Sequence, residues 1–186
     1  MKIVKFCLLP LFVLLGLVYG YGYFVSPDGW DVEVSREIEA TPAEIHPWIA
    51  DLSRWPDWLA DQGVEYTYTF EGPASGVGAI ATSNDGRHEI RWEITASDPQ
   101  KGVWFDELLG GQSDAKGAIL LEATSGGTKV SWVDRGSLGR DPIKRIFHPL
   151  MQNQLAAAFQ ENLTSLERMV EAAKAAPEAD EEPAAK

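Results

Sequence analysis

The sequence predicts an α+β protein: about seven antiparallel strands in one sheet, a long C-terminal helix against it, and one N-terminal apolar helix. Three observations carry this. Short runs between residues 31 and 135 alternate apolar and polar residues, the mark of half-buried strands. The turns between them are too short for parallel crossovers, which need a dozen or more residues. From Leu150 onward the apolar period changes to that of a helix. One sheet and one amphipathic helix must then bury their faces against each other.

The first element is Phe6–Val25, free of charges and preceded by Lys2 and Lys5. Coiled as a helix it is about 30 Å long, the thickness of a bilayer's hydrocarbon core. Tyr19, Tyr21, Tyr23 and Phe24 gather at its far end, where an interfacial aromatic belt would lie. These features predict a single-pass transmembrane signal anchor over residues 1–27. The lysines place the N-terminus in the cytoplasm and the rest of the chain in the periplasm or otherwise outside. A cleaved secretory signal with release of the domain, and a buried core helix, are the alternatives. Cys7, the only cysteine, falls in this segment, so the domain has no disulfide, zinc thiolate or cysteine nucleophile.

Residues 28–174 form the predicted domain. In residues 31–40, Val32, Val34, Ile38 and Ala40 share one face, and Asp31, Glu33, Ser35, Glu37 and Glu39 the other. Thr41 then caps a short helix, with Pro42 at its first position and Glu44 completing a capping box. Ile45, Trp48, Ile49 and Leu52 repeat at helical spacing, Pro47 falls in about the first turn, and Pro56 stops the run between Trp55 and Trp58. Six further strands are expected near 64–71, 77–83, 87–96, 102–109, 116–124 and 128–135. Glu71-Gly-Pro, Asn84-Asp-Gly86, Asp98-Pro99, Gly110-Gly111 and Ser125-Gly-Gly127 separate them. Asp141-Pro142 opens another helix, and Pro149 would interrupt or kink the long one near its start. Residues 175–186, with four acids and one lysine from Pro177 on, read as a disordered acidic tail.

Composition excludes some functions. A formal charge of −12 argues against nonspecific nucleic-acid binding. The chain lacks Gly-x-Ser-x-Gly, a Walker loop, a dinucleotide fingerprint and His-Glu-x-x-His. With three histidines, of which only His88 adjoins an acid, no metal site and no cofactor are expected. Candidate site residues come instead from strand parity. His88, Ile90, Trp92 and Ile94 share one face of their strand, and Thr128, Val130, Trp132 and Asp134 one face of theirs. Arg36 breaks an apolar inward row. Tyr66, Tyr68 and Phe70 share a face, and Trp58, Trp92, Trp132 and Phe159 supply further aromatic surface. Such aromatics either line a cavity or fill a core.

The unit formed by the first strand, the capped helix and Asp51-Leu-Ser-Arg-Trp-Pro-Asp-Trp58 resembles the opening of the START-related superfamily, in its polyketide cyclase/dehydrase-like (SRPBCC) branch. Gly127-Thr-Lys-Val-Ser-Trp132 is similar to that family's Gly-Thr-x-Val-x-Trp strand, and Phe159-Gln-Glu-Asn-Leu163 to its C-terminal helix. The resemblance covers roughly residues 32–172. It implies a helix-grip fold, a curved sheet wrapped around the C-terminal helix with a cavity between them. It also implies that the first and last strands are neighbours, which would let Arg36 meet Asp134.

The expected function is binding of a hydrophobic small molecule, such as a lipid, quinone or polyketide-like compound, near the membrane. Its expected pocket is Trp58, Tyr66, Tyr68, His88, Trp92, Trp132 and Phe159. The alternatives are a cyclase/dehydratase-type enzyme using Arg36, His88 and Asp134, and an envelope interaction module with a filled core. For Arg36 and Asp134, closure of the sheet edge is the competing structural role, and for His88, exposure beyond the core.

Overall fold

A computed structural model describes residues 2–59, 65–110 and 113–175, and their side chains except at 2–9, 11, 113 and 114. The tail expected from residue 175 lies outside these apart from its first residue. The elements run α1 (Lys2–Phe24), β1 (Gly29–Ile38), α2 (Pro42–Ala50), a 3-10 turn (Leu52–Arg54), α3 (Trp55–Trp58), β2 (Thr67–Glu71), β3 (Ile80–Asn84), β4 (Glu89–Asp98), β5 (Gly102–Leu109), β6 (Ser113–Ala123), β7 (Thr128–Ser137), α4 (Pro142–Ile146) and α5 (His148–Ala175).

The seven strands form one antiparallel sheet in the order β1-β7-β6-β5-β4-β3-β2. Consecutive strands from β2 to β7 are neighbours, as their short turns require. The long return from β1 through α2 and α3 leaves β1 free to pair with β7, from Gly29↔Ser137 to Ile38↔Thr128. The first and last strands are therefore adjacent.

The local signals hold. Thr41 accepts from the Glu44 amide, and Glu44 takes the Thr41 amide in return, closing the capping box. Asp141 caps α4 through the amides of Ile143 and Lys144. The helical run that opens at Pro142 is interrupted at Phe147, between α4 and α5, and Pro149 sits in the first turn of α5, where no backbone donor is needed. One local expectation needs correction. Pro47 lies in the second turn of α2, and the helix still continues to Ala50.

The core lies between the sheet, α5 and the α2–α3 segment. Leu163, Leu166 and Val170 of α5 are buried against β1 and β7, while Ile45, Ile49 and Leu52 close the sheet beside them. Trp55 is the centre of an aromatic block, with ring centroids 5.5 Å from Trp58, 5.3 Å from Phe105 and 6.0 Å from Trp132. Such tilted and edge-on contacts suit the ring quadrupoles.

At the N-terminus, α1 is helical and its end rests on α4. Gly22 lies so close to Pro142 that a Cβ there would overlap the Pro142 carbonyl oxygen, and Arg145 Nη1 donates to the Tyr23 carbonyl at 3.2 Å. Among the described residues no helix is long and apolar enough to cross a membrane, so the structure gives the expected transmembrane anchor no support.

Candidate functional site

Between the inner face of the sheet and α5 lies a cavity of about 520 Å³, open to solvent. Its wall combines Trp30 of β1, Tyr68 of β2, Ser83 of β3, Ile90 and Trp92 of β4, Glu107 and Leu109 of β5, and Trp132 and Asp134 of β7. Leu155, Ala158, Phe159 and Asn162 of α5 face them, and Pro56, Leu59 and Tyr66 complete the rim. The inner end is sealed by Trp132, which stacks on Phe159 with centroids 4.5 Å apart and planes 10° from parallel. Trp55 and Trp58 back it from the core.

Two carboxyl groups stand on this apolar wall. Glu107 and Asp134 belong to strands separated by β6, roughly 10 Å apart across the sheet. They meet because β6 carries small residues between them. Ala115 pairs with Glu107 and Gly136, and Gly117 pairs with Asp134 and Phe105. A Cβ on Gly117 would overlap the Phe105 ring, and one on Gly136 would overlap the Trp30 indole. Trp30 therefore lies flat over Gly136, its register partner, and its Nε1 donates to Asp134 Oδ1. On the far side, Trp92 is the register partner of Glu107 and donates to its carboxyl.

This arrangement holds a proton. Asp134 is only 2% exposed, and its Oδ2 receives no ordinary donor among the described residues. The Glu107 carboxyl is in hydrogen-bonding contact with it, and can satisfy it only when protonated. Burial, then the negative charge of Asp134, push Glu107 well above the usual carboxylate range, against the opposing pull of the Trp92 N–H. Burial also raises Asp134, while the hydrogen bonds from Trp30 and Glu107 resist the shift. Of the two carboxyls, Glu107 is the one pushed more strongly toward its protonated form, and the pair stands between two indole donors. Among the described residues no lysine, arginine or histidine lines the cavity.

The sequence-predicted residues divide clearly. Tyr66, Tyr68, Trp92, Trp132, Phe159 and Asp134 lie on the wall. Trp58 does not: it is fully buried behind Trp132, its Nε1 donating to the Trp48 carbonyl at 3.1 Å. Arg36 does not meet Asp134. The register sets Val32 opposite Asp134 and Arg36 opposite Val130, four residues or about 13 Å along the strand. Arg36 instead reaches Glu167 of α5, its Nε and Nη2 at 2.6 and 2.5 Å from Oε2. His88 precedes β4, in the turn from β3, so strand parity does not govern it. Its side chain is 78% exposed and contacts Asp85 at 3.1 Å, outside the cavity.

Glu107 and Trp30 were missed. For Glu107 the signal is present: Val103, Phe105, Glu107 and Leu109 share one face of β5, and an acid breaks an otherwise apolar inward row. Among the described residues no three His, Cys, Asp or Glu side chains are placed to hold a metal ion.

Residues 29–171 match the model of the family described as polyketide cyclase/dehydrase and lipid transport. No curated protein matches the sequence at a significant level. Among solved structures, a point mutant of norcoclaurine synthase from Thalictrum flavum, in complex with a transition-state analogue, superposes with a TM-score of 0.61 at 18% identity. That match covers 81% of this chain and 99% of the other. A protein from Chromobacterium violaceum gives 0.59 at 17% identity, over 78% and 99%. A protein from Rhodobacter sphaeroides gives 0.58 at 19% identity, over 76% and 92%. At these identities the structures establish the shared fold, and the family match covers most of the chain. The chain belongs to the polyketide cyclase/dehydrase and lipid-transport family, with the helix-grip arrangement of sheet and C-terminal helix.

Proposed function

We propose that this protein binds a hydrophobic small molecule in the cavity between its sheet and α5. The observation that carries the reading is an aromatic-walled space of about 520 Å³ left open beside a tightly packed core. Binding sites for small molecules are commonly of this size, mostly apolar, with few polar groups to orient the ligand. The family's range, which includes lipid transport, supports the same reading. A silent interaction module needs a filled core, and here the side chains leave the space empty. The proposal also keeps the apolar N-terminal segment at a membrane with the domain outside the cytoplasm, close to a reservoir of apolar ligands. Carbonate extraction of membranes tests this: the chain should stay in the pellet.

Native mass spectrometry of the full chain purified from cells, followed by organic extraction, tests the binding. A stoichiometric apolar compound is expected. A clean apo mass that stays unchanged after incubation with a membrane lipid extract would overturn it.

The Glu107–Asp134 pair favours one second reading, acid–base catalysis of the cyclase or dehydratase type. A protonated carboxyl beside an ionised one can give and take a proton within a single pocket. Arg36 and His88 have no part in it, being outside the cavity. Conversion of an extracted compound by the wild type but not by Glu107→Gln would establish this reading over simple carriage.

A further inference from the structure

The proposed binding function leaves one feature of the cavity unexplained: two carboxyls, Glu107 and Asp134, meet on its wall, and none of the described residues lining it is a lysine, arginine or histidine. We propose that the ligand carries a positively charged nitrogen, which docks on the Glu107–Asp134 pair with its apolar part against the aromatic wall. The inference rests on the binding reading and names the chemistry of its ligand.

Four observations converge. Asp134 is almost fully buried yet faces the cavity, and its Oδ2 has only the Glu107 carboxyl for a partner among the described residues. A buried carboxylate normally sits beside a protein cation, because an isolated one costs several kcal/mol. The protein supplies such a cation at the other end of the same sheet–helix gap, where Arg36 reaches Glu167, and none of the described residues supplies one here. The cavity that holds the acids is lined by aromatic side chains: Trp92 and Trp132 beside them on the sheet, Phe159 on α5, and Tyr66 and Tyr68 toward the rim. Aromatic faces attract organic cations and tolerate apolar substituents equally well. The formal charge of −12 adds a field that draws cations toward the mouth.

A neutral ligand meets the site less well. Its carbonyl could accept from Trp132 Nε1, a buried donor without a partner among the described residues, but the charge of the acid pair would remain uncompensated. A carboxylate or phosphate would face repulsion. A cation satisfies the charge, and on docking it favours loss of the proton the two carboxyls share. Among the described residues the other titratable groups facing the cavity are Tyr66 and Tyr68. Burial raises the Tyr68 hydroxyl, which keeps it neutral. From α5 the pair is faced only by neutral side chains.

The test compares phenylbutylamine with phenylbutanol, molecules of the same length that differ in a charged nitrogen against a hydroxyl. Both are titrated calorimetrically into the full chain at neutral pH, in two buffers of different ionisation enthalpy. The amine should bind at least about tenfold more tightly, with proton release that the alcohol does not show. The double variant Glu107→Gln/Asp134→Asn, which removes both acids, should bring the two affinities to within about twofold, whereas Glu107→Gln alone keeps the Asp134 carboxylate and should keep the preference for the amine. The wild-type comparison stands even if a variant fails to fold.

Equal affinities, or tighter binding of the alcohol, overturn the cation preference and leave the apolar-ligand reading in place. If neither probe binds while extraction yields a neutral apolar compound, the cation inference falls and the binding function stands. If neither probe binds and extraction yields nothing, both fall.

Discussion

The gap between the sheet and α5 has two ends, and they are built differently. At one end Ile38, Val130, Leu163, Leu166 and Val170 are packed to near-zero exposure, and the carboxylate that faces the gap, Glu167, is met by Arg36. At the other end the same strands and the same helix stand apart around an open cavity. There two carboxyls, Glu107 and Asp134, have indole N–H groups for company and no cation among the described residues. Dense packing with paired charge supplies stability. Open space with unpaired charge does not, and keeping it makes physical sense only if something else completes it. The boundary between the two ends is the stacked pair Trp132 and Phe159.

Breaking that boundary has the largest expected effect. Trp132 touches Trp55, Trp58, Phe105 and Phe159 and is 3% exposed. Trp132→Ala should cost about 3–5 kcal/mol in unfolding free energy, as large aromatic truncations in cores do. It should also join the cavity to the space vacated in the core. Denaturant titration measures the first effect. A loss of less than 1 kcal/mol would mean that the block is not a structural wall, and the two-ended description would fail.

The open end has a distinctive pH dependence. Glu107 is raised in the folded state above its ordinary value of 4.5. Its contribution is fully present below that unfolded value and is lost as pH rises through the folded value. Stability should therefore fall as pH climbs above about 4.5, by at most about 1.4 kcal/mol per pH unit for one proton. Glu107→Gln should flatten this slope. The carboxylate of Asp85 acts in the opposite sense and in a separate window: backbone N–H bonds from His88 and Arg87 lower it to about 2, so its contribution disappears only in strong acid. Chemical denaturation at several pH values between 5 and 9 checks the assignment. An unchanged slope in Glu107→Gln would remove the shared proton from the pair.

Much of the packed end was legible in the sequence, and less of the open end. The capped helix at Thr41, the alternation along β1 and the apolar stripe of α5 are short-range patterns, so periodicity reveals them. Inward parity also put Tyr68, Trp92, Trp132 and Asp134 on the correct face. What parity cannot supply is register. Arg36 and Asp134 sit on adjacent strands and one face, but which rungs they occupy is set by pairing across the sheet. The acid pair is harder still, because it spans three strands and depends on Gly117, Ala115 and Gly136 being small. An acid in the inward row of β5 was the available clue to half of it.

At the packed end, the Arg36–Glu167 contact ties β1 to α5. Both side chains are partly exposed, 33% and 19%, so solvent screens the attraction. A double-mutant cycle with Arg36→Met and Glu167→Gln should return a coupling of about 1 kcal/mol. Ligand binding should be unaffected, since neither residue lines the cavity. A variant that lost ligand affinity while remaining folded would show that the two ends communicate, and the division drawn between them would need revision.

The smallest effect is expected at His88, and it sharpens the boundary from outside. Strand parity alone makes His88 a neighbour of Ile90 and Trp92 in the pocket. The β3–β4 pairing ends at Asn84↔Glu89, however, and the turn holds His88 in solvent. Its ring contacts Asp85 Oδ2, and that carboxylate is held mainly by the backbone amides of Arg87 and His88. Those amides survive any side-chain change. His88→Ala should therefore shift stability by no more than about 0.5 kcal/mol and leave both ligand affinity and its pH profile unchanged. A pH profile altered by this substitution would mean that the titrating group is a solvent-exposed imidazole, and the buried carboxyls would lose their place at the centre of the site.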